Sequence, residues 1–438
     1  MSPNISEHYK KREPSAIRKA QILFESRQDS SVINVINLAI GNISLPMHPA
    51  MASRLKNLGN PDSPFADGVV RYTTSEGTVE CKTAIINSIN AELSQTISKD
   101  ANCVITDGGS QAMELMLLGV SGSKSNKSIM VIDPLYTNYV EFSKRLSIPM
   151  VSLERNISIN GSFGDLDPDK IREKMDEENP NGILIIPADN PTGLQMSQNL
   201  INEIARICVE KDVWLISDEA YRNIYFSNSG PSSIWQIPNT DVPGIEGRRI
   251  SIESVSKVWN ACGLRIGALV TDNKIMYEKV RSEYTANLCA NVIGQHVFGA
   301  VAHMPSSEII NWYSRQRDYY SNLVNKLIMG LKNELPGIIL SSPGAAIYIV
   351  LDFKNITPSN FNTSKFIDYC SLNGKIKLNG KYHTLLLSTM KGFYNNESKG
   401  EKQARIAIVE PESKMKIVPK ILSQLLDNYL KMEQSNCS

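Results

Sequence analysis

A run of short apolar segments alternating with amphipathic ones, from about residue 78 to 300, constrains this chain more than any other feature. The apolar segments are Ala101–Thr106, Ser128–Ile132, Pro149–Leu153, Gly182–Pro187, Val213–Ser217, Arg249–Glu253 and Ile266–Thr271. Helical periodicity fills most of the gaps, as in Ser110–Val120, Tyr139–Leu146 and Ser197–Lys211. Strands that are apolar throughout, rather than alternately, are buried on both faces. The pattern therefore predicts an α/β fold with a mostly parallel seven-stranded sheet between helices. The flanks read differently. Before the alternation come a short amphipathic helix (Ser15–Phe24) and an apolar strand ending in glycine (Val35–Gly41). After residue 305 come a long amphipathic helix (Glu308–Glu334), strand-like runs at Gly337–Leu340 and Ala345–Asp352, and a helix near Lys414–Met432. This mixture predicts a second, α+β, domain, and the polar stretch Tyr394–Lys402 reads as a mobile loop.

Composition narrows the functional classes. With 438 residues, 42% hydrophobic and 21% charged, the chain is long enough for two domains and ordinary for a globular protein. A net charge of +1 leaves no footprint for nucleic acid or an anionic membrane. The basic run Lys10-Lys11-Arg12 is flanked by Glu7 and Glu13 and reads as a solvated helix end. No apolar stretch reaches bilayer length, and the first residues lack the apolar core of a secretory signal. Seven scattered cysteines without a CxxC pair fit reduced thiols and no metal site, so a cytoplasmic protein is expected. Cys262, close in sequence to Lys257, is a candidate for lining a site there, with a buried, inert thiol the favoured reading.

The chemistry concentrates at the carboxyl ends of the strands, where α/β proteins place their sites. The run Ser254-Val255-Ser256-Lys257-Val258-Trp259-Asn260-Ala261-Cys262-Gly263-Leu264-Arg265-Ile266-Gly267 combines an amine, two hydroxyls and a guanidinium. The amine of Lys257 can condense with an aldehyde. Ser254, Ser256 and Arg265 can hold a phosphate, with Gly263 and Gly267 letting the backbone turn closely around it. A phosphorylated aldehyde describes pyridoxal 5'-phosphate (PLP). Thr106-Asp107-Gly108-Gly109-Ser110 ends a strand and opens a helix, the geometry that presents backbone N–H groups to a phosphate. Asp189-Asn190-Pro191-Thr192-Gly193 is a rigid turn that points the Asn190 amide inward. In Ser217-Asp218-Glu219-Ala220-Tyr221, Asp218 emerges desolvated at a strand end and needs a cationic partner such as a pyridinium nitrogen; capping of the next helix is the competing reading. Arg405, in the apolar run Gln403-Ala404-Arg405-Ile406-Ala407-Ile408, has the fork geometry for an α-carboxylate, against a structural ion pair.

In this order the elements resemble the class I/II aminotransferases of the fold-type I PLP-dependent family, aspartate aminotransferase-like. The resemblance runs from about Ile36 to Ile408 and includes Gly41, Tyr72-Thr73-Thr74-Ser75-Glu76-Gly77 and Pro134-Leu135-Tyr136. It implies an N-terminal arm with the first part of a small domain (1–50), a large PLP-binding domain (51–310) and a small C-terminal domain (311–438). It also implies transfer of an amino group between an L-amino acid and a 2-oxo acid. Lys257 would form the Schiff base and shuttle the proton, with Asp218 on the ring nitrogen. Tyr221 and Asn190 would bond the ring hydroxyl oxygen, and Tyr136 would stack on the ring. Gly108, Gly109, Ser110, Ser254, Ser256 and Arg265 would grip the phosphate. Tyr72 would reach the phosphate of a neighbouring subunit, making a homodimer with shared sites. Arg405, helped by Gly41 and Asn190, would clamp the α-carboxylate, and Arg281 would meet a distal carboxylate. The chain departs from the family pattern at Cys81-Lys82 and at Ser388–Tyr394, where Lys391 and Tyr394 are candidates for shaping the pocket. The same grip residues also serve elimination or amino-acid oxidation. A non-catalytic PLP-sensing module is a third reading, disfavoured by the short segment before Gly41.

Overall fold

The computed structural model describes residues 3–94, 97, 101–164, 166–227 and 230–437; Met1, Ser2 and the side chain of Cys437 lie outside the described residues. Strand β1 (Ile33–Asn37) comes first, and seven strands follow: β2 (Asn102–Thr106), β3 (Ile129–Asp133), β4 (Met150–Glu154), β5 (Gly182–Ile185), β6 (Trp214–Asp218), β7 (Arg249–Ser254) and β8 (Gly267–Thr271). These seven form one sheet in the order β2-β8-β7-β6-β5-β3-β4. Only β8 runs antiparallel to its neighbours, β7 and β2. All seven anticipated strands are present, displaced by no more than a residue or two at their ends.

Successive side chains of these strands enter opposite cores, as the period of two demands. Val131 packs with Ala112, Met116, Tyr139 and Phe142 on one face. Its neighbours Met130 and Ile132 belong to the other, with Ile171, Ile201 and Ile204. Burial on both faces is why these strands read as continuously apolar. The crossover helices start where their caps dictate: Ser197 accepts from Leu200 N–H and opens Gln198–Glu210, and Asn273 accepts from Met276 N–H and opens Lys274–Tyr284.

The remaining strands are β9 (Ile339–Leu340), β10 (Tyr348–Asp352), β11 (Ile376–Leu378), β12 (Lys381–Leu386), β13 (Ser388–Thr389) and β14 (Gln403–Ala407). They make a four-stranded sheet, β13-β14-β10-β9, and a three-stranded one, β1-β12-β11. Thus β1 pairs parallel to a strand near the other end of the chain, Ile33 opposite Tyr382 and Asn37 opposite Leu386. The first strand stops at Asn37, earlier than its apolar run suggests, because Leu38 bridges two sheets: its N–H donates to Leu386 and its carbonyl accepts from Ala407 N–H.

Two other expectations change. The C-terminal helix is broken into Glu412–Met415 and Val418–Cys437, with Pro419 in the first turn of the second. The polar stretch 394–402 is pinned rather than loose. Asn395 N–H donates to Asp133 at 2.8 Å, Lys399 pairs with Glu154, and a short helical turn spans Glu397–Gly400.

Candidate active site

A cavity of about 770 Å³ lies at the carboxyl ends of β5, β6 and β7, walled on the far side by residues 37–44 and by Tyr348 and Arg405. Such a volume suits a cofactor together with a small substrate. Twelve of the expected site residues line it: Gly41, Gly109, Ser110, Tyr136, Asn190, Asp218, Tyr221, Ser254, Ser256, Lys257, Arg265 and Arg405.

Lys257 leaves the loop after β7 and turns its Nζ onto the carbonyl of Gly41, with the Cys262 sulfur at 3.7 Å. Gly41 is glycine for a steric reason. A Cβ there would stand 2.5 Å from the Tyr348 hydroxyl and 3.1 Å from Lys257 Nζ. Cys262 corrects expectation: it is half-buried, lines the cavity and contacts the lysine.

The anion cradle forms where β2 ends beside the start of β8, Thr106 opposite Gly267. Gly108, at φ 81°, turns the chain into the helix Gly109–Val120, whose N-terminus has no side-chain cap. Gly108 itself lies behind the Arg265 guanidinium, so close that a Cβ would collide with it. Gly267 is equally obligatory, since its Cβ would sit 2.5 Å from the Gly108–Gly109 backbone, whereas Gly263 faces open space and has no such reason. Arg265 donates to the carbonyls of Cys262 (3.2 Å) and Asp107 (3.4 Å), leaving it beside Ser254 and Ser110 at the cavity wall. Backbone N–H groups, hydroxyls and a guanidinium on one concave face are the donor set that a phosphate requires.

Asp218 ends β6, and burial raises its pKa, opposed by the Tyr139 hydroxyl, which donates at 2.5 Å, and by Ala220 N–H at 3.1 Å. A buried carboxylate facing a cavity is fit to receive a cation. Tyr139, almost fully buried, is a site residue that sequence reasoning missed; its place three residues after Tyr136, on the same helical face, was the available signal.

Opposite the lysine, Arg405 reaches in from β14 and is 1% exposed. It donates to Asn190 Oδ1 (3.0 Å) and to the carbonyl of Ala39, and lies over the rings of Tyr348 (4.4 Å) and Phe393 (5.0 Å). Among the described residues it has no carboxylate partner, and its Nε has no hydrogen-bond partner at all. A buried guanidinium without a counter-ion is costly unless a ligand supplies one. Tyr348, a second residue missed from the sequence, bonds Tyr221 hydroxyl to hydroxyl at 2.6 Å. Behind Asn190, a buried pair between Arg155 and Asp189 (2.7 Å) with the Thr192 hydroxyl holds the turn. Behind Asp218, Arg222 joins Glu253 (2.8 Å) and Glu219 (3.3 Å), and burial pushes the Glu219 carboxyl up to about 7.

Several expected residues stand elsewhere. Tyr72 is 75% exposed on the outer surface. Arg281 lies on an exposed helix, 3.4 Å from Glu76, and does not line the cavity of its own chain. Lys391 pairs with Glu397 at 3.8 Å and Tyr394 is buried against Gln403 at 3.1 Å, so Phe393, not these two, meets the cavity wall beside Arg405.

A parallel sheet with a lysine, a buried carboxylate and an anion cradle at its carboxyl edge defines a class of α/β enzymes built around a phosphorylated group. Comparison with known proteins makes the class specific. The model of the family "Aminotransferase class I and II" matches residues 33–373, and the chain belongs to that family. It is an aminotransferase, of a family whose members depend on PLP. Aspartate aminotransferase of Musicola paradisiaca is 23% identical over 304 residues, 67% of this chain and 70% of that one. The Thermus thermophilus aspartate aminotransferase has the same fold at TM-score 0.77 and 16% identity, covering 97% of this chain and all of that one. Escherichia coli YbdL, described as having a methionine aminotransferase function, superposes at 0.79 and 16% identity over 97% of this chain. Among the described residues no helix is long and apolar enough to cross a membrane, and no group of His, Cys, Asp and Glu could hold a metal.

Proposed function

We propose that the chain transfers an amino group between an L-amino acid and a 2-oxo acid, using PLP attached at Lys257. One observation carries this reading: in a member of the aminotransferase family, Lys257, the Asp218–Tyr139 pair and the counter-ion-free Arg405 face a single cavity. These residues fit the cofactor. Gly108, Gly109, Ser110, Ser254, Ser256 and Arg265 would hold its phosphate, Asp218 would accept from the ring N–H, Asn190 and Tyr221 would hold the ring oxygen, and Tyr136 would pack against the ring. When bound, the cofactor withdraws the electron pair left on the substrate Cα after proton loss.

The protein's own groups do the rest. Arg405, backed by the Asn190 amide, fixes the α-carboxylate and so the direction of the Cα–H bond. Lys257 Nζ, already beside the Gly41 carbonyl, takes that proton and returns it. By donating to Asp218, Tyr139 favours its carboxylate against the burial that raises its pKa. The same reading divides the chain into an arm with the first part of the small domain (1–50), a PLP domain (51–310) and a small domain (311–438). It pairs two subunits through the exposed Tyr72 region, each tyrosine serving the other's phosphate, in a cytoplasmic homodimer. Of the three relatives named above, two are named for aspartate and one for methionine, so the family alone does not choose the donor.

The test is to add single amino acids to the yellow holoprotein and follow its absorbance. A change to the amine form of the cofactor, reversed by a 2-oxo acid, is expected. Release of ammonia, or oxygen uptake, in its place would replace transamination by elimination or oxidation.

A further inference from the structure

We propose that Tyr348 is a positioning residue with two separable parts: its ring seats Arg405, and its hydroxyl sets the direction of the Tyr221 hydroxyl. The inference rests on the aminotransferase reading above and deepens it. Tyr348 begins β10, and the register of the sheet explains its reach. Arg405 on β14 stands opposite Val350, and Tyr348 stands opposite Ala407. Tyr348 is thus the diagonal neighbour of Arg405 on one face of the sheet, a separation that long and aromatic side chains bridge. The small Ala407 directly opposite leaves room for the Arg405 guanidinium, which lies over the Tyr348 ring at 4.4 Å. Phe393 lies against the same guanidinium at 5.0 Å. Two aromatic rings attract this cation and leave its N–H groups to Asn190, to the Ala39 carbonyl and to a ligand.

The hydroxyl end has a different task. It bonds the Tyr221 hydroxyl at 2.6 Å, and both tyrosines line the cavity. A hydroxyl has one proton to give and two lone pairs to receive with. If Tyr221 gives its proton to the ring oxygen of the cofactor, Tyr348 must be the donor between the two. Burial holds the Tyr221 hydroxyl well above its ordinary pKa, so it stays protonated and able to donate. Donors in series strengthen one another, so Tyr348 makes Tyr221 the better donor. Gly41 makes the arrangement possible, since a Cβ there would stand 2.5 Å from the Tyr348 hydroxyl and 3.1 Å from Lys257 Nζ. One side chain therefore touches both the arginine proposed for the α-carboxylate and the hydroxyl proposed for the ring oxygen.

The experiment compares PLP-loaded wild type with Tyr348→Phe, which keeps the ring, and Tyr348→Leu, which keeps neither part. The first readout is the absorbance of the holoprotein titrated with pH, without substrate. The two hydroxyls in series stabilise negative charge on the ring oxygen, so weakening them raises the pH midpoint of the colour change. Tyr348→Phe should move that midpoint up by about half to one pH unit, the effect of one hydrogen bond. The second readout is calorimetry with butyrate, a bare carboxylate for Arg405. Tyr348→Phe should bind it within about twofold of wild type, and Tyr348→Leu roughly tenfold more weakly, the range of a desolvated cation–π contact. Turnover of L-alanine, L-aspartate and L-methionine should split in the same way. Tyr348→Phe should lower kcat about three- to tenfold with KM nearly constant, whereas Tyr348→Leu should raise all three KM values as well. A midpoint that stays or moves down in Tyr348→Phe would overturn the assignment. So would butyrate binding that Tyr348→Leu leaves intact, or that Tyr348→Phe already loses. Tyr348→Met takes the place of the leucine variant should that one not fold. A wild type without a cofactor spectrum sinks the aminotransferase reading instead, and butyrate binding then still judges the ring at Arg405.

Discussion

The two walls of the active cavity are built in opposite ways. The wall proposed to hold the cofactor, called here the cofactor wall, comes from turns at the ends of β2, β6 and β7, residues 107–110, 218–221 and 254–265, each a contiguous motif on one sheet. The substrate wall is assembled from the two ends of the chain: Arg405 is tied to the carbonyl of Ala39, 366 residues away in sequence, and Phe393 packs with Ile17. A contiguous motif on a rigid edge can be reused for many reactions, whereas an assembled wall can be changed piece by piece. The physical expectation is that cofactor chemistry resides in the first and choice of substrate in the second.

That contrast can be broken or sharpened by substitution. The largest effect is expected on the cofactor wall. Lys257→Ala should cut turnover about 10⁴-fold or more, because attachment and proton transfer vanish together. Borohydride reduction followed by mass spectrometry should then find no cofactor fixed to the chain, against one per chain in wild type. On the substrate wall, Arg405→Ala should lower kcat/KM for every amino acid about 10²- to 10³-fold with cofactor retention unchanged. Loss of cofactor from this variant, measured by absorbance after gel filtration, would erase the division between the walls. Tyr139→Phe should cost kcat about tenfold. Its signature is directional: without the hydroxyl the Asp218 pKa climbs further, so the acidic limb of the pH–kcat profile moves to higher pH.

The smallest effect concerns the joint between the walls. Asp133, at the end of β3, accepts from Asn395 N–H, and burial raises its carboxyl from 3.8 to about 6. Between those values the folded chain holds a proton that the unfolded chain has lost, so this group's contribution to stability falls as pH rises from about 4 to about 6. Asp133→Asn should remove up to about 3 kcal/mol of that pH dependence, read by denaturant unfolding at several pH values.

The same division explains what was legible in the sequence. The seven strands could be read because each is buried on both faces, and the cofactor wall because its residues sit a few positions apart at strand ends. Arg405 could be read because an arginine is conspicuous in an apolar strand. Tyr348 could not: it is an aromatic residue in a strand that reads as core until Arg405 is laid across it. Arg281 is a harder case, because an arginine on an amphipathic helix looks alike whether it serves a ligand or, as within its own chain, pairs with Glu76.

The parallel pairing of β1 with β12 has a consequence for synthesis. Ile33 emerges early from the ribosome, yet the strand it must join ends at Leu386. At cellular elongation rates that interval is roughly 20–70 s. Throughout it the central sheet can fold while the first strand waits, its hydrogen bonds unmade. The Ala39 and Gly41 carbonyls that orient Arg405 and Lys257 follow directly on that strand. On the proposed function, the nascent protein thus gains its phosphate cradle well before it can grip an amino acid.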